Sequence, residues 1–134
     1  MTTQPTLEPK RWQALGVILL ASFMVLLDTS IVVNALATIQ SNLGATYSQL
    51  QFVLAAYSVA YGTILITGGR LGDLYGRKRI FLIGLTSFTL ASALCGLAWS
   101  ATSLIAFRIL QGFTAAIMFP QVSSFIQVLF PVSE

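Results

Sequence analysis

Apolar residues along this chain of 134 residues fall into four long runs, separated by short polar or charged segments. A helix that crosses a bilayer needs about 20 mostly apolar residues, and each run approaches or exceeds that number. The pattern therefore predicts an all-α membrane protein with four transmembrane helices, at residues 12–37, 50–68, 80–98 and 103–125. The other segments are a tail at 1–11, loops at 38–49 and 69–79, a turn at 99–102 and an end segment at 126–134.

The composition supports a membrane protein, because 56% of the residues are hydrophobic and only 8% are charged. A soluble domain carries about 25% charged residues. No basic patch alternates with aromatic residues, so we expect no nucleic-acid partner. The chain has no histidine and one cysteine, so we expect no metal site. It lacks a nucleophile–base pairing and a nucleotide-binding loop, so we do not expect an enzyme.

The basic residues indicate how the helices are oriented. Lys10 and Arg11 precede the first run, and four more basic residues lie between the second and third runs: Arg70, Arg77, Lys78 and Arg79. Because short cytoplasmic segments carry the excess of Lys and Arg, we expect both termini and residues 69–79 to be cytoplasmic. The first run also resembles a secretory signal peptide superficially. Asp28 interrupts it, however, and cleavage after residue 37 would come late for such a peptide.

The segment 68–79, GGRLGDLYGRKR, combines this basic charge with glycines and one acid. A topological anchor explains the positive charge, but it explains neither Asp73 nor the glycines. Glycine permits tight turns and the close approach of another helix. Asp73 can cap a helix start or pair with an arginine. A generic basic loop remains the alternative. A phosphate-binding loop is disfavoured, because the G-K-[ST] ending and a preceding strand are absent.

Two charged residues lie inside the apolar runs, Asp28 in the first and Arg108 in the fourth. A charge near the bilayer centre costs about 2.5–3.5 kcal/mol and usually faces the bundle interior. At a rise of about 1.5 Å per residue, Asp28 lies about 15 Å and Arg108 about 9 Å from the outer ends of their helices. We therefore expect both to face one cavity in the outer half of the membrane and to influence each other's charge. The alternative is a structural ion pair that positions the helices.

Polar and small residues near these charges are candidates for lining that cavity. Gln111 and Gly112 lie on the same side of the fourth helix as Arg108. Gln111 can donate hydrogen bonds across a helix interface, and small residues such as Gly112 let helices pack closely in lipid. Asn34 on the first helix can face either the cavity or a neighbouring helix.

Three stretches resemble motifs of the major facilitator superfamily. The segment 69–79, GRLGDLYGRKR, resembles the signature between the second and third helices, which reads G-x-L-a-D-r-x-G-r-k. Gly72 and Leu74 depart from it, and its matching positions are Gly69, Leu71, Asp73, Gly76, Arg77 and Lys78. The segment 104–116, LIAFRILQGFTAA, resembles the fourth-helix motif R-x-x-q-G-x-g-a. The segment 27–39, LDTSIVVNALATI, resembles a first-helix motif typical of the fourteen-helix drug/proton antiporter branch.

The resemblance implies the first part of a major facilitator N-terminal bundle in the plasma (inner) membrane. Its expected function is export of drug-like small molecules in exchange for protons by alternating access, with the proton gradient as the energy source and no cofactor. Arg108 is expected to keep its charge and bias a nearby carboxylate such as Asp28. Residues of the signature are expected to form a cytoplasmic gate: Gly69, Asp73, Gly76, Arg77 and Lys78.

Members of the superfamily have twelve or fourteen helices, so the resemblance also implies that this chain is a fragment that lacks its C-terminal partner and does not function alone. Its other expected partners are the substrate and the lipid bilayer. Uptake of a sugar or an acid is an alternative to drug export. A small four-helix exporter that acts as a dimer and a non-transporting scaffold or accessory protein are the remaining alternatives.

Overall fold

In the computed structural model, which describes residues 8–130, the chain forms a bundle of four α-helices. They are α1 (Glu8–Leu43), α2 (Tyr47–Tyr75), α3 (Arg77–Gly96) and α4 (Ala101–Leu129). Each is long and apolar enough to cross a membrane, and the described residues contain no strand. The predicted all-α class with four such helices is therefore confirmed. Residues 1–7 of the predicted tail and 131–134 of the predicted end segment lie outside the described part.

Two tight turns close one end of the bundle, here called the Gly44 end. Gly44 connects α1 to α2 with φ 60°, in the left-handed region that favours glycine. Thr46 then caps α2 through a reciprocal pair of hydrogen bonds with Gln49. Ser100 caps α4 through the same reciprocal arrangement with Ser103. Because these caps satisfy backbone N–H groups, both helices begin close to their turns. The loop predicted at 38–49 is mostly helical, since α1 continues to Leu43 and α2 begins at Tyr47.

The opposite end, here called the Gly76 end, differs most from the sequence prediction. Residues 69–75 continue α2, and Arg77 already begins α3, so the loop predicted at 69–79 is a single residue. That residue is Gly76, with φ 95° and ψ 127°, a conformation that L side chains rarely adopt. The start of α1 lies at this end beside the end of α4, because the rings of Trp12 and Phe130 lie 5.6 Å apart.

Helix α4 lies at the centre of the bundle and packs between α2 and α3. Close approach depends on glycine: a Cβ at Gly84 on α3 would lie 2.9 Å from Met118 Cβ, and one at Gly112 would lie 2.5 Å from the backbone oxygen of Tyr57. Small residues serve this role where lipid provides no hydrophobic drive for helix association. Helix α1 packs more loosely, with Ile18 and Ala21 in a cluster that includes Met118.

The outward faces of the helices are apolar. Large side chains such as Leu20, Leu26 and Ile66 are 61%, 67% and 79% exposed. Contiguous exposed apolar surface of this kind is rare on soluble monomers and is expected against lipid. The buried polar side chains lie instead on α4, facing the other helices: Arg108, Gln111, Thr114 and Gln121. The polar chemistry of the bundle is therefore concentrated on its central helix.

Candidate functional site

The two charged residues of the apolar runs form an ion pair between α1 and α4. Arg108 Nη1 donates to Asp28 Oδ2 at 2.7 Å. The side chain of Arg108 is 2% exposed and that of Asp28 11% exposed. A pair removed from water to this extent is stable only when further hydrogen bonds satisfy its remaining polar atoms.

Gln111 supplies those hydrogen bonds and closes a ring with the pair. Its Nε2 donates to Asp28 Oδ1 at 2.7 Å, and its Oε1 accepts from Arg108 Nη1 at 2.8 Å. The same Oε1 accepts from the thiol of Cys95 on α3 at 3.4 Å. Gln111 is itself fully buried. We call these three residues, Asp28, Arg108 and Gln111, the charged ring.

Arg108 is also held by α2, independently of the aspartate. Its Nε donates to the backbone oxygen of Val53 at 3.3 Å. Its guanidinium carbon lies 4.4 Å from the centre of the Tyr57 ring, within the range of a cation–π contact. The cation therefore keeps three groups that stabilise its charge when the carboxylate is removed or neutralised: Val53 O, Gln111 Oε1 and the Tyr57 ring.

An open groove of about 450 Å³ lies between α1 and α3 in the half of the bundle nearest the Gly44 end. Its walls are mostly apolar, with Leu27 and Ile31 from α1 and Phe88 from α3. Asp28 and Cys95 line it, whereas Arg108 does not. Of the two charges expected to face one cavity, Asp28 thus lines this groove, while the guanidinium of Arg108 contacts Val53 and Tyr57 on α2.

The three residues proposed to line the cavity do not line this groove. Gln111 belongs to the charged ring. Gly112 lies against the backbone of α2, where its missing side chain lets the helices approach. Asn34 is exposed, and its Nδ2 donates to the backbone oxygen of Ser30 at 2.7 Å on the same helix. The groove instead uses the α1 face that carries Asp28 and Val32.

The predicted gate residues surround the single-residue turn at Gly76. Arg77 Nη2 lies 3.5 Å from Asp73 Oδ1, in an exposed pair that joins the end of α2 to the start of α3 across Gly76. Lys78 is exposed. Gly69 faces the side chain of Pro120 on α4, where an added Cβ would lie 3.8 Å from the proline ring. In the described residues, Asp73 thus pairs within its own segment.

Three polar residues with clear contacts are not among the site residues that the sequence predicts. Cys95 and Tyr57 both contact the charged ring, and Gln121 is buried beside Pro120. Gln121 could have been identified from the sequence, because it is a polar amide within an apolar run. Cys95 and Tyr57 carry no such signal, because thiols and tyrosines are common in apolar runs. Residues 8–130 contain no cluster of His, Cys, Asp or Glu able to hold a metal ion.

Comparison with known proteins gives one family. A model of the Major Facilitator Superfamily matches residues 18–134. The chain is 44% identical over 93% of its length to a probable actinorhodin transporter of Streptomyces coelicolor, covering 22% of that protein. It is 42% identical over 92% of its length to a puromycin resistance protein of Streptomyces alboniger, covering 24% of it.

A cephamycin export protein of Amycolatopsis lactamdurans is 45% identical over 75% of this chain, which covers 21% of that relative. The chain thus spans about a quarter or less of the curated relatives that it matches. These relatives are named for transport, resistance or export and not for an enzymatic reaction. With a family match that begins at Ile18 in α1 and continues through all four helices, the chain belongs to the major facilitator superfamily.

Proposed function

We propose that this chain is the N-terminal part of a secondary active transporter that exports drug-like small molecules in exchange for protons. The observation that carries the proposal is the charged ring, which is buried except where Asp28 meets the groove. An intramembrane carboxylate paired with an arginine marks an ion or proton pathway by default. The names of the relatives support antibiotics as the substrate class and export as the direction. Transport is proposed for the complete transporter, not for these four helices alone.

Proton binding at Asp28 would change how α1 is held. The ionised carboxylate accepts from Arg108 Nη1 and from Gln111 Nε2, and bonds to a charged partner are roughly twice as strong as neutral ones. Protonation removes the negative charge and turns one acceptor oxygen into a donor. Arg108 keeps its hydrogen bond to the Val53 carbonyl and its contact with the Tyr57 ring. Helix α1 is then attached less strongly to α4, while α4 and α2 remain joined.

Exchange of substrate for protons follows if the two bind the Asp28 carboxylate alternately. The groove brings apolar side chains and the carboxylate together, which suits a compound with a large apolar body and a hydrogen-bond donor or positive charge. Such a compound binds the ionised carboxylate and leaves when a proton takes its place. Loosening of α1 then accompanies the rocking of one half of the transporter against the other that gives alternating access.

We place the Gly76 end, and both termini of these four helices, on the cytoplasmic side of the plasma membrane. Six of the seven basic residues of the chain lie at or next to this end, whereas the segments that form the Gly44 end contain none. This distribution fits the excess of Lys and Arg in cytoplasmic segments. In this position Asp73, Arg77 and Lys78, together with Gly69 and Gly76, form a gate whose charge contacts exchange as the halves tilt.

Transport in inside-out membrane vesicles tests the central proposal. Vesicles containing the complete transporter are made acidic inside, and uptake of actinorhodin, puromycin and a cephamycin is measured. The expected result is gradient-driven uptake of at least one probe, reduced at least about tenfold in Asp28→Asn, the scale of one lost charge-assisted contact. Ser30→Ala, an exposed position two residues away on α1, serves as the matched control. Unchanged uptake by Asp28→Asn would refute the role of the carboxylate.

Cysteine labelling in intact cells tests the orientation separately. Alanine replaces every native cysteine, Cys95 included, and single cysteines are introduced with Arg79→Cys at the Gly76 end and Tyr47→Cys at the Gly44 end. Both positions are exposed. A membrane-impermeant maleimide is expected to label the cysteine at position 47 in intact cells and the one at 79 only after permeabilisation. The reverse pattern would invert the proposed orientation.

A further inference from the structure

Gln121 is a buried amide on α4, away from the charged ring. It is 1% exposed, and its Nε2 donates to the backbone oxygen of Gly68 on α2 at 2.9 Å and to that of Ile117 at 3.3 Å. Thirteen residues separate it from Arg108, which is about 20 Å along a helix. Its side chain therefore joins α4 to α2 near the Gly76 end and has no part in the ion pair.

Two glycines on α2 leave space for this amide and for the backbone of α4. A Cβ at Gly72 would collide with the carboxamide of Gln121, and a Cβ at Gly68 would collide with the backbone oxygen of Ala116. The two glycines are four residues apart and lie on one face of α2. At this level the helices therefore meet backbone to backbone, with the amide of Gln121 between the two glycines.

Pro120 explains why the Ala116 oxygen is available for this contact. Proline has no N–H, so the carbonyl four residues earlier loses its helical hydrogen bond. That carbonyl belongs to Ala116, and it faces the Cα of Gly68, where only hydrogen fits. Cα–H···O contacts of this kind recur at helix interfaces. The helices are thus joined in both directions: Gly68 Cα–H faces Ala116 O, and Gln121 N–H binds Gly68 O.

The contact at Gly68 lies directly before the charged segment of α2. From Gly68 the helix continues without a break to Tyr75. A helix of this length behaves as a rigid rod over the roughly 12 Å that separate Gly68 from Gly76. The orientation fixed at Gly68 therefore determines where Asp73 and the turn at Gly76 lie relative to α4.

We propose that Gln121 is a positioning residue, which holds the Gly76 end of α2 against α4 through Gly68. It thereby sets the resting position of the turn at Gly76, here called the gate turn. The proposal rests on the proposed transport function for its kinetic consequence, but its structural consequence does not depend on transport. When the amide donor is lost, the hydrogen bond from Gln121 to the Gly68 carbonyl is lost too, and the end of α2 is held less firmly against α4. The gate turn then samples a second position more often, while the groove at Asp28 is unchanged.

The test uses Gln121→Met in the complete transporter, since methionine has a similar size but no N–H donor. Spin labels are attached at Leu74→Cys on α2 and Val128→Cys on α4, because both positions are exposed, in a background where alanine replaces every native cysteine, Cys95 included. The distance distribution between the labels reports the end of α2 directly. We expect the population of a longer distance to rise about threefold, the ratio that corresponds to one interhelical hydrogen bond in lipid. Gln51→Met, an exposed amide on α2, is the matched control.

Transport kinetics supply the second readout. If Gln121 positions the gate and does not touch the substrate, Gln121→Met changes kcat while KM stays the same, and the thermal unfolding midpoint stays close to that of the Gln51→Met control. A distance distribution identical to that of the control overturns the inference, and so does a change in KM with kcat constant. Absence of transport in the unsubstituted protein would refute the proposed function instead, and the distance measurement would still decide the role of Gln121.

Discussion

Replacing either Asp28 or Arg108 alone is expected to lower the free energy of unfolding more than replacing both together. Arg108→Gln leaves a carboxylate that is 11% exposed with Gln111 Nε2 as its remaining partner. Removing one partner of a buried pair costs about 3–5 kcal/mol. For Asp28→Asn we expect the free energy of unfolding to fall by about 3 kcal/mol, the lower end of this range, because Val53, Gln111 and Tyr57 still stabilise the cation.

The double variant separates coupling from two independent losses. Independent losses would add to about 6 kcal/mol or more. The double variant has two amides in place of two charges, so no uncompensated charge is left. We therefore expect its free energy of unfolding to fall by no more than that of either single variant. The coupling energy is then at least about 3 kcal/mol, at the upper end for residues in contact.

The measurement is the unfolding free energy of the protein in mild detergent, followed by circular dichroism as SDS is added. Ser30→Ala combined with Arg108→Gln provides the control cycle, because Ser30 is exposed and its side chain makes no hydrogen bond with the ring. This control pair should be additive within about 0.5 kcal/mol. If the losses of Asp28→Asn and Arg108→Gln also add, the pair does not act as a unit and the proposed loosening of α1 has no energetic basis.

Further predictions concern packing, the turn and the gate. Gly112→Ala places a Cβ 2.5 Å from a backbone oxygen of α2 and should lower the unfolding free energy by about 1–3 kcal/mol. Gly62→Ala, where nothing lies within 4 Å, should raise it by about 0.5–1 kcal/mol in the same SDS titration. Gly76→Ala forces a side chain to φ 95° and should cost about 1–3 kcal/mol, so an unchanged midpoint would argue against this turn. Asp73→Asn should change stability by less than about 0.5 kcal/mol, since its pair with Arg77 is exposed, while reducing the transport rate.

The helices and the charged pair could be predicted from the sequence for one shared reason. Polar groups cost free energy in lipid, so membrane-spanning helices are apolar runs that can be identified in a sequence. A charge inside such a run, such as Asp28, can be identified in the same way. The ends of the helices are less visible. Thr46 and Ser100 allow α2 and α4 to begin outside the apolar runs, in segments that composition alone classes as loop.

The glycine-rich segment and Gln121 show why the rest could not be predicted. Glycine serves as a turn residue at Gly76 and as a packing residue at Gly68 and Gly72, and the two uses look alike in a sequence. The partner of Gln121 is a backbone oxygen, which every residue carries, so no residue type marks it. The groove depends on the distance between α1 and α3, which is set by packing and not by either helix alone.

The two caps at the Gly44 end have a consequence for how the protein enters the membrane. Asparagine, aspartate and serine cap helices about equally well, yet this end uses the hydroxyls of Thr46 and Ser100. On the proposed orientation, each turn must pass through the hydrocarbon layer during biosynthesis. An aspartate in either place would carry a charge through lipid at a cost of about 2.5–3.5 kcal/mol at mid-depth. Uncharged caps let each helical hairpin be translocated without that barrier.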